Sequence, residues 1–255
     1  MASIGKSRVS VVKIAGAAAQ LLWPASCGTC GALIENHVDD LCEKCWQDLR
    51  ACCGADYCRR CGLTASRFAI YDGACTQCRD KQFNFDSIAR AGIYTGVLSK
   101  AVLAFKHGRD EVAPILKTLA KAALASAGFE NPPDQFVPVP LYWFRRVQRG
   151  FNQAHILARA ICPQLNLIKC DLARTRNTPR QALLDAKDRF TNVRDAFAIR
   201  RGHSFKGKTI CLVDDVKTTG STLNECASLL KTAGAVNVYA VVIAVADPNF
   251  RDMRS

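Results

Sequence analysis

No apolar run in this sequence is long enough to cross a bilayer as a helix, which takes about 20 residues. The nearest approach, "VVKIAGAAAQLLW" (11–23), is interrupted by Lys13, so no membrane span is expected. Acidic residues are scarce: 22 Asp and Glu face 35 Lys and Arg, a formal charge of +13. A Walker loop, GxxxxGK[ST], is absent, which removes the P-loop nucleotide hydrolases. Apart from a recurring CxxC there is no internal repeat, so solenoids and propellers are excluded. No set of metal ligands that would leave a water activated is visible, and no side chain stands out as a general base. Apolar residues make up an ordinary 49%, which argues against both disorder and a membrane bundle. A chain of 255 residues can hold one sizeable core with a small satellite module.

Cysteine is plentiful and clustered. Ten of the fourteen lie between Cys27 and Cys78, and eight of them form four CxxC knuckles: Cys27/Cys30, Cys42/Cys45, Cys58/Cys61 and Cys75/Cys78. A CxxC turn aims two thiolates at one cation, and two turns complete a tetrahedral Zn(II) shell. Fourfold repetition of that spacing is ribbon-like, unlike the disulfide framework of a small secreted domain. Structural Zn(II) in a reducing cytoplasm is therefore expected, with the knuckles paired either sequentially or in interleaved fashion. Cys52, Cys53, Cys162, Cys170, Cys211 and Cys226 are left as ordinary thiols. Ahead of the knuckles, Lys6 and Arg8 before the apolar stretch resemble an export signal. An amphipathic helix docking on the body or on a partner fits better, because thiol chemistry begins immediately afterwards.

The second concentration of chemistry is "LVDDVKTTGST" (212–222). The β-branched run 209–213 reads as a strand buried on both faces of a parallel sheet. Leu223, Ala227 and Leu230 then give helical spacing, closed by Gly234. The loop between them sits at the carboxyl end of a parallel strand, where open α/β sheets bind ligands. Helix N-terminal amides and the hydroxyls of Thr218, Thr219, Ser221 and Thr222 can cradle a phosphate. Asp214 and Asp215, expected in the loop, can accept hydrogen bonds from vicinal hydroxyls. A ribose 5-phosphate satisfies both halves, and a diphosphate at C1 would bring Mg(II). Two adjacent carboxylates are costly to place without such a partner.

Elsewhere, 88–94 reads as a strand or hairpin, followed by a helix ending near Lys106 and a second over about 112–127. A short strand is expected at 136–139, a basic loop at "PLYWFRRVQR" (140–149) and a helix at 152–161. Arg145, Arg146 and Arg149 follow a strand end, where guanidinium groups can grip a diphosphate. Trp143 and Phe144 beside them suit either packing or ring stacking. The segment 174–197 is polar, basic and broken by Pro179, and reads as a long connection of the kind that forms lids. Another buried strand follows at 236–246. Strands alternating with helices predict a doubly wound parallel α/β sheet of about five strands. Charge is uneven: residues 137–209 hold 15 basic against 4 acidic side chains, and 27–80 hold 6 against 8. An anionic substrate, a nucleic acid or a solvated basic face would each explain the basic segment.

The loop resembles the phosphoribosyl pyrophosphate (PRPP) signature of type I phosphoribosyltransferases, hydrophobics-Asp-Asp-x-x-Thr-Thr-Gly-x-Thr. From Leu21 onward the whole chain resembles the ComF family of competence and GntX-type proteins. The likeness rests on "LLWPASCGTCG", the double ribbon, "FKHG", "PVP…RRVQRGFNQA", "RNTPRQALLDAKDRFTNVRDAF" and the PRPP loop. It implies an N-terminal segment (1–26), a double zinc ribbon (27–80) and a phosphoribosyltransferase-like domain (81–255). It further implies that Asp214 and Asp215 hold the ribose, and that Lys217, Thr218, Thr219, Gly220, Ser221 and Thr222 hold the 5-phosphate. Pro140 and the arginines after it would face pyrophosphate, and Thr178, Gln181 and Arg189 would lie in a flap. His107 departs from the aromatic that relatives commonly carry there. The resemblance implies a bacterial cytoplasmic protein of DNA uptake, with single-stranded DNA and competence-machinery proteins as partners. Three functions fit: a phosphoribosyltransferase of unknown acceptor, a nucleic-acid handling module on the same fold, or a PRPP-sensing regulator.

Overall fold

The computed structural model describes residues 25–34, 41–177, 195–200 and 204–250. Its centre is the strand β7 (Thr209–Lys217), whose first five residues are all buried. Beside it lies the equally apolar β8 (Asn237–Val245). With β3 (Ser87–Ile93) and β4 (Gln135–Pro138) they form one parallel sheet in the order β3-β8-β7-β4. A single parallel bridge, Phe136 to Ile168, extends it beyond β4. Among the described residues, four full strands plus that bridge stand where about five were expected. Unbroken Val, Ile and Leu runs require cover on both faces, and helices supply it.

On one face pack α1 (Glu43–Cys53), α2 (Gly96–Lys106), α3 (Ala113–Ala125) and α5 (Gln153–Ile161), sharing a core with Ala89, Phe136, Val213 and Val241. The other face is covered by α6 (Ser221–Thr232), whose Leu223, Cys226, Ala227 and Leu230 meet Ile88, Val137, Leu212 and Val242. Gly234, at φ +95°, follows α6 in the left-handed conformation expected of a helix stop.

The cysteine knuckles wrap the β3 edge, one cluster to each face. Cys27 and Cys45 belong to the α2–α3 core, and Cys58, Cys61, Cys75 and Cys78 to the α6 core. Arg59 carbonyl accepts from Ile88 N at 2.7 Å, which caps backbone that an edge strand would otherwise leave open. A small hairpin, β1 (Ile70–Tyr71) with β2 (Ala74–Cys75), presents the last knuckle.

Two local expectations are corrected. The stretch read as a basic loop contains a helix, α4 (Trp143–Arg149), closed by Gly150 at φ +79° with its amide on Arg146 carbonyl at 2.9 Å. None of its residues is buried, so no core-facing periodicity marked it in the sequence. The acids also do not lie in a loop: β7 continues through Lys217, because β8 pairs with it that far, Asp214 to Val242 and Lys217 to Val245. Beyond the sheet, β5 (Leu172–Arg174) and β6 (Phe197–Ile199) form an antiparallel ribbon.

Candidate functional site

The carboxyl end of β7 gathers the site. Asp214 Oδ1 accepts from the Asp215 amide at 2.8 Å, and Asp215 Oδ1 meets Lys106 Nζ at 3.2 Å. Both partners of that ion pair are largely shielded, with 22% and 14% of their side chains exposed, so water screens it less than a surface pair. Burial raises the Asp214 carboxyl to about 7, and the Asp215 carboxylate adds to the rise. The Asp215 amide, Lys106 and Arg174 oppose it. Burial likewise raises the nearby Tyr94 hydroxyl, against the pull of Lys106. Lys106 and Arg174 thus join the acids without having been expected there. A lone lysine in the last turn of a helix is the ordinary complement to the helix dipole, and that ordinariness hid Lys106.

Past Lys217 the chain turns through Thr218, Thr219 and Gly220 into α6. Gly220 has φ +87°, a conformation that penalises any side chain. The first amide bonded within the helix is Asn224, to Gly220 carbonyl at 2.8 Å. Ahead of it, Ser221 N donates to Thr219 Oγ1 at 3.4 Å, and the first amides of a helix are the ones that can serve an anion. Thr219 Oγ1 lies 3.0 Å from Ser221 Oγ. The structure places Lys217 differently from its neighbours. It is 4% exposed, and its Cε lies 2.9 Å from where a Cβ on Gly220 would sit. Its side chain therefore runs beneath the turn. Burial lowers its pKa, the Cys61 and Cys78 thiols raise it, and Lys81 and Arg90 lower it.

At the end of the neighbouring strand, Asn152 ties α5 to the loop after β4, donating to Val139 carbonyl at 3.1 Å and capping Ala154 N at 3.1 Å. Arg149 Nη1 reaches Gln153 Oε1 at 3.3 Å. Gln153 is 1% exposed, and among the described residues its Nε2 donor has no acceptor. Pro140, Arg146 and Arg174 line a cavity of about 490 Å³ with Trp143, Phe151 and Arg200, and among the described residues no carboxylate lines it. Arg145 approaches Arg174 closely enough to depress its pKa, after burial itself. Thr178, Gln181 and Arg189 lie outside the described residues; the flanking β5–β6 ribbon is held by Thr175 N on Ala196 carbonyl at 2.9 Å.

The knuckles pair sequentially. Cys27, Cys30, Cys42 and Cys45 form one sulfur cluster and Cys58, Cys61, Cys75 and Cys78 the other. Sulfurs of Cys30 and Cys42, of Cys58 and Cys78, and of Cys61 and Cys75 are 3.7 Å apart. A tetrahedral Zn(II) with bonds of about 2.3 Å needs edges of about 3.8 Å, so both clusters fit the metal. In the second cluster a hydrogen bond from Cys61 draws the Cys58 thiol down to about 4 although burial opposes it. Burial also opposes the fall of Cys27 to about 5, but hydrogen bonds from Thr29 and the Cys30 and Cys42 backbone prevail. Each lead knuckle is built alike, with Gly31 N on Cys27 carbonyl at 2.9 Å and Gly62 N on Cys58 carbonyl at 2.7 Å. Of the remaining thiols, Cys52 is buried between α1 and the β3–α2 turn, donating to Thr95 carbonyl at 3.5 Å.

Residues 148–252 match the phosphoribosyl transferase domain model, and residues 18–81 match the double zinc ribbon domain model. Parallel sheet, strand-end acids and paired thiolate clusters thus define a phosphoribosyltransferase-type fold carrying a double zinc ribbon. The chain is 32% identical over 222 residues to competence protein F of Haemophilus influenzae, covering 83% of this chain and 93% of that one. It is 30% identical over 228 residues to DNA utilization protein YhgH of Escherichia coli K12, covering 86% and 96%. A shorter match, 29% over 152 residues, links it to competence protein ComFC of Bacillus subtilis, covering 55% and 56%. The chain belongs to the ComF family.

Proposed function

We propose that this protein binds PRPP at the carboxyl end of β7 and serves DNA uptake or utilization, handling single-stranded DNA in the cytoplasm. One observation carries the reading. Two adjacent carboxylates, Asp214 and Asp215, lie near the carboxyl end of a buried strand, Asp215 three residues before the hydroxyl-lined turn that opens at Thr218 and leads into a helix N-terminus. Acids suit the ribose hydroxyls, and the turn suits the 5-phosphate. Mg(II) would arrive with the pyrophosphate and neutralise part of its charge, with Arg149 and the Gln153 amide on the side where that group would lie. The names of the relatives support the DNA role, as does α4. Its Trp143, Phe144 and Val147 are 63%, 52% and 73% exposed beside Arg145 and Arg146, and aromatics among arginines suit stacked bases and phosphates. Competence-machinery proteins would be its partners.

A second reading, an active phosphoribosyltransferase with its own acceptor, is favoured by the Asp214 carboxyl near 7, where proton transfer works well at neutral pH. Calorimetric titration with Mg(II)-PRPP tests the binding site common to both. The wild type should bind, and a folded Asp214→Ala/Asp215→Ala variant should lose all measurable heat. Equal affinity in the two proteins would refute the ribose assignment. Turnover of PRPP in the same samples, with and without an acceptor, separates binder from enzyme.

A further inference from the structure

The second thiolate cluster and the phosphate turn are contiguous. Gly62, next to ligand Cys61, sits so close to the sheet that a Cβ would lie 3.0 Å from Val245 Cγ2. Val245 pairs in register with Lys217, and Lys217 lies under Gly220. The knuckle is fastened there. Arg90, 3% exposed, donates to Gly62 carbonyl at 2.7 Å and to Thr64 Oγ1 at 2.9 Å. Asp247 Oδ2 accepts from Thr64 N at 2.7 Å. Lys217, 4% exposed, therefore lies directly beneath the turn and one strand pairing away from the residue that the Gly62 knuckle touches. Zn(II) bound by four thiolates carries a net double negative charge, and such a cluster needs cations and donors around it.

We propose that Lys217 is the counter-ion of the Cys58/Cys61/Cys75/Cys78 cluster and the prop beneath Gly220, so that metal loading there and phosphate binding at the turn reinforce each other. With metal bound, the cluster holds the ammonium under the turn and keeps Gly220 in its left-handed shape. Without it, a buried positive charge loses its partner and the side chain has reason to leave. The linkage is reciprocal: whatever factor the metal adds to phosphate affinity, the phosphate ligand adds to metal affinity. The prop half of the proposal rests on the ribose-phosphate reading above; the counter-ion half does not.

The test follows zinc release from the full-length, zinc-loaded chain into a colorimetric chelator, with native mass spectrometry counting two ions at the start. Lys217→Met keeps the stem and removes the charge, and should release one of the two ions about 10-fold faster, the usual cost of losing a group that supports a metal ligand. The other ion's unchanged rate, from the Cys27/Cys30/Cys42/Cys45 cluster, shows that the variant is folded. Lys217→Arg should restore slow release. Mg(II)-PRPP should slow the release of the sensitive ion in the wild type and not in Lys217→Met. Unchanged release in Lys217→Met overturns the counter-ion role. Weaker PRPP binding with both release rates unaffected would make Lys217 a direct phosphate ligand and overturn the coupling. If the wild type binds no PRPP, the ribose-phosphate reading and the linkage fail together, while the release rates still decide the counter-ion role.

Discussion

Asp214 lies near the carboxyl end of β7, where its Oδ1 accepts from the Asp215 amide at 2.8 Å. Its carboxyl is raised to about 7 by burial first and the Asp215 carboxylate second. A folded-state pKa above the unfolded value of about 4 means that the native protein holds the proton longer, so stability falls as pH rises between about 4 and 7. Asp214→Asn should therefore raise the melting temperature at pH 8 by about 2 °C or more, and by less at pH 5. Ribose hydroxyls donate best to an ionised carboxylate, so PRPP affinity should fall as pH drops through 7 in the wild type. In Asp214→Asn that inflection should vanish. Melting curves and calorimetry at both pH values check the pair of statements; equal shifts at pH 5 and pH 8 would refute the assigned ionisation.

Among the elements, the large helices were legible because their burial is periodic, and the central strands because theirs is unbroken. The run 209–213 announces a two-sided strand, and β7 indeed begins at Thr209. Its end was misjudged, since acids at the edge of a site break the apolar pattern while the backbone ladder with β8 continues. α4 was missed for the opposite reason: it has no buried face at all. The β5–β6 ribbon is too short, three residues a strand, to stand out from a polar connection. Of the site, the acids, hydroxyls and cysteines were legible from spacing. Lys106 was not, because its contact with Asp215 spans more than one hundred residues of sequence. Exposed α4 carries its own prediction. If it contacts single-stranded DNA through phosphates, neutralising Arg145 and Arg146 together should flatten the log–log dependence of affinity on salt by about 1.4. The loss should be alike for every sequence, since phosphate contacts carry no base information. Filter binding over a salt series measures the slope; an unchanged slope would remove these arginines from the DNA surface.

For the molecule as a whole, the two ribbons are not appended to the sheet but built into it. One cluster's cysteines share the core with α2 and α3, the other's with α6, and Arg59 and Arg90 bind the Cys58/Cys61 knuckle to β3 and its surroundings. The carboxyl edge of the sheet is thereby framed by the zinc module on the β3 side and by the basic α4 on the β4 side. The acids and the phosphate turn lie between them. In the proposed function, PRPP lies at the end of β7, with its 5-phosphate at the start of α6. A crystal structure of the complex with Mg(II)-PRPP measures this most directly. The expected result is 5-phosphate oxygens within hydrogen-bond distance of Thr219, Ser221 and the first amides of α6, with the ribose hydroxyls on Asp214 and Asp215. Density for PRPP in the cavity between α4 and β5, with the β7–α6 turn empty, would contradict it.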